Sequence, residues 1–172
     1  NNRIYDNNAT TEGFGILLSN TNQSNITNND LNKNTYSILL STSPNNLVKE
    51  NKVYKSQFGL YLSGSNTNDI KNNKIYDNEL EALYFDDSDF NILTYNNISN
   101  NLDEAIYMSL SDSNIFYDNN ISSNRGSGLF IVNSKINNIS DNDLLLNARG
   151  GIKFFASDNN LVDKNTFIKT SI

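Results

Sequence analysis

Residues 72–101 read NNKIYDNELEALYFDDSDFNILTYNNISNN, a stretch that opens and closes on one phrase. Asn73, Ile75 and Asn78 mark the first copy, and Asn96, Ile98 and Asn101 repeat it 23 residues later. Followed in both directions, the phrase collects Asn2, Asn29, Asn51, Asn73, Asn96, Asn119, Asn142 and Asn165, spaced by 27, 22, 22, 23, 23, 23 and 23 residues. Two residues after each stands Ile4, Leu31, Val53, Ile75, Ile98, Ile121, Leu144 or Phe167. Five after each stands Asn7, Asn34, Ser56, Asn78, Asn101, Asn124, Asn147 or Thr170.

The rest of each repeat is equally regular. A small residue (Gly15, Ser37, Gly59, Ala82, Ala105, Gly128, Gly151) precedes an apolar one (Ile16, Ile38, Leu60, Leu83, Ile106, Leu129, Ile152), and two residues on comes Leu18, Leu40, Leu62, Phe85, Met108, Ile131 or Phe154. A hydroxyl column follows, then an amide column through Asn46, Asn68 and Asn91, then an apolar column from Ile26 to Val162. Each repeat therefore holds three short segments of period-two alternation bounded by Asn, Gly or Ser, with no room or periodicity for a helix. One coil cannot bury three apolar faces, but coils stacked about 4.8 Å apart as parallel strands close a continuous core. The expectation is an all-β, single-domain, right-handed parallel β-helix over residues 1–172, with about seven to eight coils of 22–23 residues and three short strands per coil. Handedness rests on the strong preference of parallel crossovers. The repeated asparagines are expected at the corners, in the left-handed conformation, each amide bonding the one above and below.

Composition agrees and also excludes. Of the 172 residues 36 are Asn, yet 37% are hydrophobic and spread evenly, so the chain folds rather than staying disordered. There is no Cys and no His, which removes disulfides, thiolate zinc sites, Ser–His or Cys–His nucleophile pairs and imidazole acid–base chemistry. A net charge of -6 argues against nucleic acid or anionic lipid as partner, and no apolar run approaches a membrane span.

The phrases GLYLSGSNTNDIKNNKIYDN (59–78) and GLFIVNSKINNISDN (128–142) resemble the repeats of NosD-type and pectate-lyase-like right-handed β-helix proteins, over essentially the whole chain. The resemblance implies an extracytoplasmic, carbohydrate-related setting. Its members include polysaccharide lyases, C5-epimerases and hydrolases, beside non-catalytic cell-surface and adhesin-like proteins. The epimerase motif contains His, and copper handling calls for His, Cys or several Met; here Met108 stands alone.

Carboxylates are the chemistry that remains. Glu81 and Glu104 share a column on adjacent coils, with Asp103 beside them and Arg125 and Arg149 on the next two coils; Asp86 leads a second acidic group. Glu81, Glu104 and Asp86 are the catalytic candidates for glycoside or lyase chemistry. Glu81, Asp103 and Glu104 are the candidates for calcium, the one cofactor the sequence suggests. The plainer reading is a solvated turn with arginine compensation. A second signal is the outward column Leu17, Leu39, Tyr61, Tyr84, Tyr107, Phe130, Lys153. Its aromatics Tyr61, Tyr84, Tyr107 and Phe130 suit a sugar platform, a protein interface, or packing among themselves. Sequons at Asn8, Asn22, Asn25, Asn97, Asn120 and Asn138 are glycosylation candidates. The turn from Asn7 to Gly15 reads five residues longer than its counterpart after Asn34, a place where binding function sits on other solenoids.

Two functions follow. The first is a non-catalytic extracellular or cell-surface module, a rigid segment of a longer protein that presents its faces to glycan or protein, with neighbouring domains or subunits stacked on its ends. The second is a polysaccharide-active enzyme fragment, a lyase or glycoside hydrolase, using the carboxylate cluster with or without calcium. An enzyme is expected to show a groove with converging carboxylates and a basic residue, a spacer evenly graded columns.

Overall fold

A computed structural model describes residues 2–168. They form three all-parallel sheets of eight, eight and seven strands, in each of which a strand pairs with its equivalents one repeat before and after. Sheet A runs Arg3–Tyr5, Asn25–Thr27, Leu47–Lys49, Asp69–Lys71, Ile92–Thr94, Ile115–Tyr117, Asn138–Ser140, Leu161–Asp163. Sheet B follows it in every coil, as in Lys74–Tyr76 and Asn97–Ser99, and sheet C closes the coil with strands such as Phe58–Ser63 and Leu83–Asp86. This is a right-handed parallel β-helix of about seven coils. Ile75, Ile98 and Ile121 lie in one axial file, as the repeat requires.

Inside, period two puts one residue of each sheet A and B strand and two of each sheet C strand into a dry interior. The files Ile26–Val48–Ile70–Leu93–Phe116–Ile139 and Leu60–Leu83–Ile106–Leu129 are at most 1% exposed. Each such side chain contributes roughly 1.5–3 kcal/mol by burial. Phe154, Val162 and Phe167 occupy the right files but remain open, because no described coil covers them.

Four polar ladders run alongside the apolar files at the corners. In one, Asn51, Asn73, Asn96, Asn119 and Asn142 each present Oδ1 to both the backbone N–H and the Nδ2 of the asparagine one coil earlier, at 2.9–3.0 Å. Their own Nδ2 groups also reach inward strand carbonyls, such as Asn96 to Ile70 O at 2.8 Å. Ser43, Ser65, Ser88, Ser111 and Ser134 form a hydroxyl ladder of the same kind. These bonds satisfy corner amides that no strand can reach.

Two expectations are corrected. The left-handed residue is not the ladder asparagine but the one just before it: Asn72 (φ 55°), Tyr95 (φ 56°) and Asp118 (φ 52°) precede Asn73, Asn96 and Asn119. The ladder side chain holds the turn, so bulky residues such as Phe90, Leu110 and Ile136 are forced into the same conformation. Secondly, the first coil slips by one face. Asn7, not Asn2, bonds Asn29, and Ile4 pairs with Ile26 rather than lying in the file of Leu31, which Ala9 occupies. The long turn between Asn7 and Gly15 does not exist: Ala9↔Leu31 and Phe14↔Tyr36 are both 22 residues apart. Sheets A and B carry the same Asn-x-apolar phrase, and the small Ala9 disguised which one came first.

Candidate functional site

The outward face of sheet C gathers the aromatic and acidic candidates. The step from 22 to 23 residues per coil falls between Asn78 and Ala82, since Ser56 to Asn78 spans 22 and Gly59 to Ala82 spans 23. The added residue shortens the strand from Phe58–Ser63 to Leu83–Asp86 and turns the corner outward there. The Gly59 N–H reaches Glu81 O, which sets Glu81 over Phe58, and the Ala82 N–H reaches Glu104 O, which sets Glu104 over Glu81. One file therefore runs Phe14, Tyr36, Phe58, Glu81, Glu104, and beside it runs Leu17, Leu39, Tyr61, Tyr84, Tyr107, Phe130.

The aromatic column is present, and its rings pack mainly on one another. Tyr61 and Tyr84 are stacked with centroids 4.6 Å apart and planes 4° from parallel; Tyr84 and Tyr107 are 4.8 Å apart at 34°. Phe130 stands edge-on to Tyr107 at 5.5 Å, with the Lys153 ammonium over its ring. Ring faces in this pile cover each other, so its solvent side is a row of ring edges and phenol hydroxyls. Burial, then the neighbouring Tyr84, Asp86, Tyr36 and Glu81, push the Tyr61 phenol up to about 12, so it stays a hydrogen-bond donor. Sequence reading missed the second aromatic file: Phe14, Tyr36 and Phe58 stack at 5.6 and 5.0 Å, and Tyr36 and Phe58 meet Tyr61 edge-to-face. Their signal was an aromatic immediately before each small residue Gly15, Ser37 and Gly59. Where Leu39 gives way to Tyr61, the surface steps. A hollow of about 300 Å³ opens there, lined by Phe14, Tyr36, Leu39, Ser41, Tyr61 and Ser63.

Glu81, Asp103 and Glu104 come together, with carboxylate oxygens within 4.8 Å of one another. The Arg149 guanidinium donates to Asp103 at 3.1 Å and lies 3.5 Å from Glu104; Arg125 forms no ion pair among the described residues. Glu104 is only 7% exposed. Burial, then the adjacent Asp103, raise its carboxyl above the ordinary range, while Arg149 pulls it back; burial likewise raises Glu81. Gly126 makes this packing possible, because a Cβ there would sit 2.4 Å from Glu104 N. Asp86 does not join them. It stands at the other end of the strand Leu83–Asp86, past Tyr84, where it pairs with Ser63 and Ser109.

Among the sequons, Asn97 and Asn120 are exposed neighbours on sheet B, and Asn8, Asn22 and Asn25 are also exposed. Asn138 is half-buried on sheet A, its Oδ1 without a partner.

A family model described as "Periplasmic copper-binding protein (NosD)" matches residues 1–172. The chain belongs to the NosD family. No curated protein matches this NosD-family chain. Solved structures with the same fold include the periplasmic alginate epimerase AlgG, at TM-score 0.82 and 19% identity over 91% of this chain and 48% of that one. The A-module of the Azotobacter vinelandii mannuronan C-5 epimerase AlgE4 follows at TM-score 0.73 and 15% identity, over 99% and 57%. An alginate lyase from Paenibacillus sp. str. FPU-7 is similar at TM-score 0.56 and 17% identity, over 92% and 68%. The chain thus spans about half the length of the epimerases it matches, and at these identities the likeness shows the fold.

The copper in the family description finds no suitable donors here. There is no His or Cys, and the single Met, Met108, is fully buried in the interior file between Phe85 and Ile131. The clustered oxygens of Glu81, Asp103 and Glu104 suit a hard cation such as calcium rather than copper.

Proposed function

We propose that this chain is a non-catalytic, extracytoplasmic module, a stiff segment of a longer surface protein that holds a glycan against sheet C. The observation that carries the proposal is the step at Leu39, where two aromatic files and Ser41 and Ser63 line a hollow the size of a sugar unit or two. The setting draws on the family description as periplasmic and on β-helical relatives named for alginate chemistry. The charges nearest the tyrosine file, Asp86 and Glu81, are both acidic, which disfavours a polyuronate. A neutral or amino-sugar polymer fits this face. Against turnover stand the separation of Asp86 from Glu81 and the engagement of Asp103 and Glu104 by Arg149.

The test is equilibrium binding to neutral, amino-sugar and uronate oligosaccharides, with and without Ca²⁺, for wild type, Tyr61→Ala and Tyr84→Ala. Tyr61→Ala is expected to weaken binding about tenfold or more, in line with a lost aromatic contact, and Tyr84→Ala to weaken it less. Binding that survives Tyr61→Ala unchanged, or a preference for uronate, sinks the proposal. The enzymatic alternative draws on the raised carboxyls of Glu81 and Glu104. Cleavage or epimerisation of any of these glycans that Glu104→Gln abolishes would establish it instead.

A further inference from the structure

Sheet A presents an outward surface that no described residue covers. Phe90, Ile92, Tyr95, Ile115, Tyr117 and Ile136 gather at its centre, with Phe90 57% and Ile136 62% exposed. Three of them are doubly unfavourable. Phe90, Tyr95 and Ile136 also hold left-handed backbone, at φ 56°, 56° and 60°, a conformation that strains a bulky residue. The corner file of Phe90 and Ile136 uses Asn45 and Asn159 in other coils, which take that conformation with little strain. Tyr95 packs edge-on against Tyr117 at 6.4 Å, whereas Phe90 and Ile136 remain more than half exposed.

The charges around this centre are arranged with a hidden symmetry. The outward files of sheet A read Leu47, Asp69, Ile92, Ile115, Asn138, Leu161 and Lys49, Lys71, Thr94, Tyr117, Ser140, Asp163. The adjoining corner reads Glu50, Asn72, Tyr95, Asp118, Asp141, Lys164. A second copy turned antiparallel about an axis between the coils of Thr94 and Tyr117 reverses each file against itself. Leu47 then meets Leu161 and Ile92 meets Ile115. Lys49 meets Asp163, Glu50 meets Lys164, and Lys71 comes beside Asp141. No like charges face one another. In a parallel arrangement about an axis along the rod through the Lys49 file, Lys49 would face Lys49 and Asp163 would face Asp163.

We infer that sheet A is a self-complementary face through which two copies of this chain pair side by side and antiparallel. The face spans six coils, about 30 Å at 4.8 Å each, by about 15 Å. It buries roughly 900–1,000 Å² in total, at the low end for a specific interface, so the pairing is weak and depends on concentration and salt. It leaves sheet C on the outside of both rods, and it stands whether or not sheet C holds a glycan.

Charge reversal tests it. Lys49→Glu/Lys71→Glu sets acid against Asp163 and Asp141 in its own homodimer; Asp141→Lys/Asp163→Lys sets base against Lys71 and Lys49. Sedimentation equilibrium of the wild type is expected to show a monomer–dimer equilibrium at least about tenfold weaker when salt rises from about 50 mM to about 500 mM. Each variant alone is expected to be at least about tenfold weaker again at low salt. Their equimolar mixture restores both sets of opposite charges, and so wild-type association. All these side chains lie on the surface, and circular dichroism of each variant verifies that it is folded. A wild type that stays monomeric at low salt, variants that associate as the wild type does, or a mixture no stronger than its parts would each overturn the inference.

Discussion

Replacing Asn96 with alanine probes whether the corner ladders hold the coils together. The side chain is 1% exposed and makes four hydrogen bonds: Oδ1 accepts from Asn73 N and Asn73 Nδ2, both at 3.0 Å, and Nδ2 donates to Ile70 O at 2.8 Å and Asn119 Oδ1 at 3.0 Å. Alanine orphans the buried Asn73 N–H, at about 1–3 kcal/mol. The other bonds contribute nearer 1 kcal/mol each, and Asn73 Nδ2 and Asn119 Oδ1 keep other partners. The expected loss is therefore about 3–5 kcal/mol. Denaturant unfolding followed by circular dichroism measures it, midpoint and slope being read together because stacked repeats can unfold in parts. The adjacent Asn97→Ala, on an exposed side chain, is expected to stay within about 0.5 kcal/mol. Asn96→Asp sharpens the test, since a carboxylate still accepts from Asn73 but cannot donate to Ile70 O. Burial beside those acceptors raises its folded-state pKa above the unfolded one. The variant's stability is then fullest below the unfolded pKa and is lost as pH rises through the folded pKa. A loss below about 1 kcal/mol for Asn96→Ala, or one equal to that of Asn97→Ala, would refute the ladder as a source of stability.

Three further outcomes are expected. Phe116→Ala empties a fully buried position against Phe85 and should cost about 3–5 kcal/mol in the same unfolding assay. Glu104→Gln should raise stability at neutral pH: the Glu104 carboxyl is raised in the folded state, so the wild type loses stability as pH climbs through that folded value, and glutamine removes that loss. Unfolding midpoints measured from acid to neutral pH check the sign. Ile136→Asn should raise the unfolding free energy of the monomer by about 1 kcal/mol through relief of left-handed strain, while weakening self-association.

The repeat made most of the fold legible, because a 22- or 23-residue period with three alternating segments has few other ways to bury its apolar columns. The inward files, the hydroxyl ladder and the amide ladders could all be read from column membership. The first coil could not, since Asn2-Arg3-Ile4 and Asn7-Asn8-Ala9 satisfy the same phrase, and only strand pairing decides between them. The left-handed corners were placed one residue late for a similar reason: asparagine tolerates that conformation in isolation, yet here its side chain is needed indoors. At the candidate site, the gathering of Glu81, Asp103 and Glu104 was visible as adjacent columns. The pairing of Asp103 and Glu104 with Arg149 rather than Arg125 depends on how the later corner turns.

Taken by itself, the order of residues determined that this chain winds, how often, and which side chains enter the dry interior, because periodicity and burial are local properties repeated seven times over. Only the tertiary structure decided how the outside is arranged. Whether Tyr61 and Tyr84 show a sugar their faces or cover one another, whether Asp86 reaches Glu81, and whether sheet A mirrors its own charges all depend on neighbours 23 or more residues away. The stacking of coils sets those distances, and no single repeat contains them.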